Sequence, residues 1–456
     1  MFILTAILLF LPMAQKHLRL FEFKPLTGVV AEAPQPEITL SKITSQELQL
    51  WTESHLKLNF GFRELLIRLY NQYRWDVFGQ SVQLERKKLY YGDDGWLYES
   101  GYVEEYYHGK WRSYGKDSAD VAFMLNEEAF RLYQLQHILE ENGTHLFVLL
   151  LPGKELVYPE HVPQTNDFQG TKKISAYEFY GKKFKELGIN HIDIGQWFLE
   201  IKDSVDYPLY PQTGIHWSTY ATLFVADSII NYMEQLGGMK MQHFTIGERE
   251  EVTLYPDDDL EQLMNLLRPL PKSPNYYATS AIVKDSTAFK PMLITIGDSY
   301  YWNLVNHTPF GYAMRRLPYW YYYHTVYFDD PHKNIEEVDV MEQVLDADFV
   351  MLAYNTVNLY KMSQGFSQEL LLEICCDEKD LAEAQRYLVK NIQHNSQWME
   401  SLTQKAELYQ IPIDSIVVTE AKNHIQKYPE LFVPALKDSI PTHRSKKYQR
   451  YIEKNK

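Results

Sequence analysis

The chain has 456 residues, 45% hydrophobic and 14% aromatic, which is enough apolar surface for one large domain with attachments or for two ordinary domains. Acidic side chains outnumber basic ones 60 to 45, and the net charge of -15 leaves no basic footprint for a phosphate backbone, which argues against nucleic acid as a partner. The two cysteines, Cys375 and Cys376, are adjacent, so they cannot staple distant parts of the fold, do not have zinc-ligand spacing, and read as structural.

The first thirteen residues carry no charge and run Phe2-Ile3-Leu4 and Leu8-Leu9-Phe10-Leu11 before Lys16 and Arg19 restore polarity. Such a stretch is short for a span of about 20 residues but resembles the apolar region of a secretory signal, so residues 1–25 read as a signal or membrane anchor. Residues 26–43, with Pro34 and Pro36 and no apolar period, read as a linker. Thr44 followed by Glu47 has the spacing of a capping box and predicts a helix carrying Leu48, Trp51 and Leu58; a second helix carries Leu65, Leu66, Leu69 and Tyr73, giving an N-terminal helical segment over 44–80. Tyr90-Tyr91-Gly92-Asp93-Asp94-Gly95-Trp96-Leu97-Tyr98 sets a Gly/Asp turn between aromatic runs and predicts a hairpin.

A helical period from Met124 to Glu141 stops at Asn142-Gly143, and the wholly apolar run Leu146 to Leu151 has the pattern of a central parallel strand. A helix over Ala176 to Leu187, a strand at His191 to Ile194, a helix from Ser218 to Leu236, and strands at Met292 to Ile296 and Phe349 to Ala353 continue the alternation. This is an α/β layered fold with a mainly parallel sheet over 86–370. From Asp377 the pattern is helical, with Leu381, Leu388, Ile392, Trp398 and Leu402 apolar, and residues 371–456 read as a C-terminal helical appendage.

Two segments have chemical potential. In the first, the apolar strand Met292 to Ile296 runs directly into Gly297-Asp298-Ser299, which places Ser299 at the carboxyl end of a strand, where α/β sheets hold their sites. A turn or helix cap is the plainer use of the same residues. In the second, Thr213-Gly214-Ile215-His216-Trp217-Ser218 puts His216 at a loop-to-helix junction, where an imidazole can face a serine hydroxyl or merely anchor the helix. Asn355 and Asn358, after the last strand, are candidate hydrogen-bond donors or turn residues. The run Tyr319-Trp320-Tyr321-Tyr322-Tyr323, with Tyr327 beyond, could present aromatic faces to sugar rings, although a half-buried strand accounts for it better.

In order along the chain, Asn59-Phe60-Gly61-Phe62-Arg63, Leu66-Ile67-Arg68, Val77-Phe78-Gly79-Gln80-Ser81, Gly92, Asp94-Gly95-Trp96-Leu97-Tyr98, Pro152-Gly153-Lys154 with Tyr158-Pro159, Gly214-Ile215-His216-Trp217 and Gly297-Asp298-Ser299 resemble the AlgJ/AlgX family of SGNH-hydrolase-like proteins. The resemblance spans residues 60 to 300 and implies a polysaccharide O-acetyltransferase or acetyl carrier of exopolysaccharide or cell-envelope biosynthesis. It implies Ser299 as the acetyl-accepting nucleophile and His216 as its base, with Gly297 or the Ser299 backbone N–H as oxyanion support. No metal or cofactor is implied.

The implied partners are a polysaccharide acceptor and a membrane-bound O-acyltransferase supplying acetyl groups. The implied location is extracytoplasmic, in the periplasm or at the outer face of the cytoplasmic membrane, with the N-terminus as the membrane tether. The family carries an Asp two residues before the His, where this chain has Gly214. Asp193, Asp203 or Asp206 could supply a carboxylate from elsewhere, or Ser299 and His216 could act as a dyad. The rival readings are a secreted carbohydrate acetylesterase and a noncatalytic glycan-binding or assembly subunit, the latter favoured by Gly214.

Overall fold

A computed structural model describes residues 2–28, 34–79, 89–108, 118–162, 174–328 and 333–455. Residues 29–33 of the expected linker, Gln80 and Ser81 of the family motif, and position 86, where the main domain is expected to start, lie outside them.

The strands are β1 (Leu89–Tyr91), β2 (Leu97–Glu99), β3 (His145–Leu151), β4 (His191–Asp193), β5 (Phe244–Glu251), β6 (Tyr276–Ile282), β7 (Leu293–Gly297), β8 (Tyr319–Tyr321), β9 (Thr325–Tyr327), β10 (Lys333–Asn334) and β11 (Phe349–Asn355). Seven of them form the central sheet in the order β10-β9-β8-β7-β11-β3-β4. All pairs from β8 through β4 are parallel, and β9 and β10 add an antiparallel edge. The last strand in the chain, β11, lies between β7 and β3, with Ala353 opposite Gly297 and Asn355 opposite Leu151.

The continuous apolar runs are explained by two buried faces. Leu146, Val148 and Leu150 of β3 pack with the helices Ser118–Glu140 and Ala176–Leu187. Phe147, Leu149 and Leu151 pack on the opposite face with the helices Thr219–Gly237 and Tyr300–His307. The C-terminal helices share the first of these cores, through Leu388, Ile392, Leu402 and Val417. They are also tied to it by a buried ion pair, Arg131 to Glu430, with Glu128 as the second carboxylate on the same guanidinium. Cys375 and Cys376 are both buried and unbridged, and burial raises their thiols to about 11 and about 12.

Near the N-terminus a helix runs Phe2–Leu18 with Pro12 inside it, and no helix among the described residues is long and apolar enough to cross a membrane. The expected capping box at Thr44 is absent. Thr44 closes a short helix, Leu40–Thr44, within the stretch read as linker, and its hydroxyl donates back to the Leu40 and Ser41 carbonyls. The next helix, Glu47–Leu58, starts after Gln46 in the left-handed region with no side-chain cap. Ser and Thr hydroxyls that bond to a carbonyl one turn back are lost to capping, so spacing alone misassigned this one. The hairpin β1–β2 forms with Tyr90 opposite Tyr98. The expected strand at His191–Ile194 stops at Asp193, whose carboxylate accepts from the Gln196 N–H and starts the helix Ile194–Ile201.

Candidate active site

The Ser299 turn is held from beneath by Asp298. Its fully buried carboxylate accepts from the Asn355 N–H at 2.8 Å, the Asn358 side-chain amide at 2.9 Å and the Tyr300 N–H at 3.1 Å, while Tyr319 OH donates to the Asp298 carbonyl at 2.6 Å. Burial raises the Asp298 pKa, and these donors oppose the rise. Gly297 permits the turn by close approach, because a Cβ there would lie 2.4 Å from the Ala353 carbonyl oxygen on β11. Ser299 then stands at the start of the helix Tyr300–His307 without a side-chain capping bond.

That helix also grips the histidine loop. Tyr300 OH donates to the Ile215 carbonyl at 2.8 Å, the Asn303 amide donates to the Trp217 carbonyl at 3.1 Å, and the Tyr300 ring lies 4.9 Å from the His216 ring. On the far side, Lys154 is buried with its ammonium donating to the carbonyls of Pro211, Gln212 and Gly214 at 3.2, 3.0 and 2.6 Å, over the rings of Tyr98 and Trp96. Burial pulls Lys154 down to about 7. Three carbonyl acceptors require all three of its N–H bonds, and two ring faces add attraction, so the cage favours the charged form. Its chain neighbour Glu155 is pushed by burial up to about 8, and the negative charges of Asp259 first and Glu155 second oppose the fall of Lys154.

The result is a continuous hydrogen-bonded line. His216 Nε2 lies 3.0 Å from Ser299 Oγ, and His216 Nδ1 lies 2.7 Å from Asp259 Oδ2. The other Asp259 oxygen accepts from the Ile215 N–H at 2.8 Å. A carboxylate only accepts, so the ring proton belongs on Nδ1, and Nε2 is left with a lone pair toward the serine hydroxyl. Such an arrangement can deprotonate a serine as it attacks a carbonyl.

Asp259 takes the place left open by Gly214, and Asp193, Asp203 and Asp206 do not. Asp193 caps its helix and accepts from Tyr177 OH at 2.6 Å, Asp206 pairs with Arg249, and Asp203 is exposed. Asp259 begins a short helix, Asp259–Met264, after a loop whose Asp257 is anchored on the start of the Thr219–Gly237 helix: the Thr219 N–H and Oγ1 both donate to its carboxylate at 2.9 Å. Burial raises Asp257 to about 7. From the other side, the helix Arg63–Phe78 holds the segment that follows, with Arg68 donating to the Leu266 carbonyl and Asn71 to the Met264 carbonyl. In the sequence Asp259 stands only as the last of the run Asp257-Asp258-Asp259, which carries no pointer to His216.

Gly214 itself is required by this arrangement. A Cβ there would lie 2.7 Å from Pro211 Cγ and 2.8 Å from the Asp257 carbonyl oxygen. Gly214→Asp, which restores the residue type usual in the family, is therefore expected to lower thermal stability by about 1–3 kcal/mol through overpacking and to slow Ser299 chemistry. Calorimetry against wild type measures the first, and unchanged stability would show that the loop can yield.

The other sequence candidates take supporting positions. Asn355 donates its amide to Tyr102 OH at 3.1 Å and accepts from the Val357 N–H, and Asn358 binds Asp298. In the aromatic run the strand ends at Tyr321. Tyr319 and Trp320 are fully buried, and Tyr322 and Tyr323 turn with φ of 50° and 52°, so the expected half-buried strand over the whole run is corrected. Away from this site, Asp377, Asp380 and His443 bring three ligand atoms within 4.8 Å of one another. Two of these carboxylates are already taken up, Asp380 by the Asp377 N–H and Asp377 by the Lys446 N–H.

Residues 89–300 match the family model described as SGNH hydrolase-like domain, acetyltransferase AlgX. No curated protein matches the chain in sequence. Among solved structures, the O-acetyltransferase domain of Pseudomonas putida AlgJ is similar at 16% identity and a TM-score of 0.40, over 60% of this chain and 93% of that one. Pseudomonas aeruginosa AlgX is similar at 13% identity and a TM-score of 0.40, over 62% and 67%. Bacillus cereus PatB1 is similar at 13% identity and a TM-score of 0.36, over 60% and 97%. Over residues 89–300 the chain is thus similar to the SGNH hydrolase-like domain of the AlgX type, the family that its ordered motifs resemble.

Proposed function

We propose that the protein is an O-acetyltransferase that moves an acetyl group through Ser299 onto a hydroxyl of a polysaccharide. The observation that carries this reading is the unbroken line from Asp259 through His216 to Ser299 on an AlgX-type domain. Ser299 Oγ attacks the carbonyl carbon of the acetyl donor as His216 Nε2 takes the hydroxyl proton. Asp259 holds the imidazolium, and the Ser299 backbone N–H, at the start of its helix, faces the oxyanion.

Collapse expels the donor's alcohol, which takes the proton from His216, and leaves acetyl-Ser299. A sugar hydroxyl then attacks that ester, giving its proton to His216, and Ser299 leaves with the proton returned to Oγ. The Asp259 contact supports the catalytic reading over a noncatalytic subunit, because it supplies a carboxylate that Gly214 lacks.

The apolar first thirteen residues support an extracytoplasmic location with the N-terminus as a membrane tether, and the resemblance supports a membrane-bound O-acyltransferase as acetyl source. Incubation with 4-nitrophenyl acetate followed by peptide mass mapping tests the mechanism. The expected adduct lies on Ser299 and is absent from Ser299→Ala. Turnover of the ester without any adduct on this serine, in wild type and in the alanine variant alike, would sink it. Addition of glycan separates transferase from esterase, since only the former yields more acetylated sugar than free acetate.

A further inference from the structure

We infer that Trp302, Tyr321, Tyr327 and Phe328 form a platform on which a sugar ring of the acetyl acceptor lies beside Ser299. The inference rests on the acetyl-transfer reading above and adds the subsite that it leaves open. Trp302 is one turn beyond Ser299 in the same helix, where side chains three residues apart are neighbours at about 5–6 Å between Cβ atoms. Tyr321 is in register with Gly297 at the carboxyl edge of the sheet, two residues before the serine. The Trp302 ring stands nearly perpendicular to Tyr327 at 4.9 Å and steeply inclined to Phe328 at 5.6 Å, with Tyr321 at 6.2 Å.

These rings are only partly sunk into the core. Tyr319 beneath them is fully buried, Trp302, Tyr321 and Tyr327 are half-buried, and Phe328 is 53% exposed. Phe328 also has a φ of 59° and Tyr322 a φ of 50°. Bulky residues hold the left-handed region only where the surroundings impose it.

For Tyr322 the surroundings are the serine turn itself. The Tyr322 N–H donates to the Gly297 carbonyl at 2.9 Å, and Asn358 bridges Tyr322 OH and the Asp298 carboxylate. Tyr321, the chain neighbour of Tyr322 and the register partner of Gly297, is therefore held against the serine turn. Flat apolar faces edged by the phenols of Tyr321 and Tyr327 suit the C–H face and rim hydroxyls of a pyranose, whereas an acyl chain has no use for the phenols.

The test uses the full chain with 4-nitrophenyl acetate as donor and two acceptors, cellohexaose and a uronic acid hexasaccharide. Phe328→Ser and Trp302→Leu are compared with Phe328→Tyr and with the remote surface variant Leu408→Ser. For the first two, the ratio of acetyl transfer to Ser299 acetylation is expected to fall about fivefold to tenfold through a raised acceptor KM. Leu408→Ser is expected to match wild type, and Phe328→Tyr, which keeps the ring face, to recover most of the ratio that Phe328→Ser loses. If wild type transfers acetyl and Phe328→Ser and Trp302→Leu keep its ratio, the platform is overturned and the transferase reading stands. If wild type acetylates Ser299 but transfers to neither glycan, both the transferase reading and the platform fail.

Discussion

Asp259→Asn is expected to slow acetylation of Ser299 by about ten-thousandfold, the scale of the loss when a triad carboxylate becomes an amide. In the wild type one carboxylate serves two donors, the Ile215 N–H and His216 Nδ1. An amide has a single oxygen. If that oxygen keeps the Ile215 N–H, its NH2 faces Nδ1, the imidazole proton moves to Nε2, and the lone pair toward Ser299 is gone. Stopped-flow release of nitrophenolate measures the rate, with Asp206→Asn as a variant expected to match wild type. A rate within tenfold of wild type for Asp259→Asn would mean that Ser299 and His216 work as a dyad.

Lys154→Met is expected to cost about 3–5 kcal/mol of folding stability and to abolish Ser299 chemistry with it. The thioether fills the stem's volume but donates nothing, so the buried carbonyls of Pro211 and Gly214 lose this donor, each at about 1–3 kcal/mol, while that of Gln212 keeps the Leu97 N–H. It also leaves Asp259 without the cation that balances it through the loop. Urea unfolding at pH 7 reads the loss. A midpoint within error of wild type would show that water replaces the ammonium and that the cage does not set the loop. Lys154→Arg is no rescue, since a planar fork does not match three carbonyls around one nitrogen.

How much of this was legible in the sequence follows from the range of the forces involved. The strands β3, β7 and β11 were readable because burial on both faces writes itself into every residue of a short run. The hairpin and the helix stops were readable because Gly and Asn mark backbone conformations locally. Ser299 and His216 could be named from where a strand ends and where a helix begins.

Asp259 could not, because it lies 43 residues beyond His216 and is brought back only by Asp257 on Thr219 and by Arg68 and Asn71 on the segment that follows. The antiparallel pair β5–β6 was missed for a different reason: Phe244–Glu251 is largely exposed and reads as charged loop, with no apolar alternation to reveal it. Thr44 misled because its hydroxyl satisfied a carbonyl behind it instead of an N–H ahead.

The position of β11 has a consequence for how the protein is made. It is the last strand of the sheet to be synthesised, yet it fills the gap between β7 and β3, so until residue 355 emerges both neighbours present unpaired, largely apolar edges. Such edges invite pairing with other chains, and closing them requires contacts across some 200 residues, a slow step. Asp298 gains its Asn355 and Asn358 donors only in that same step. A nascent chain arrested before it would be both aggregation-prone and inert, which makes serine acetylation a direct assay for completed folding.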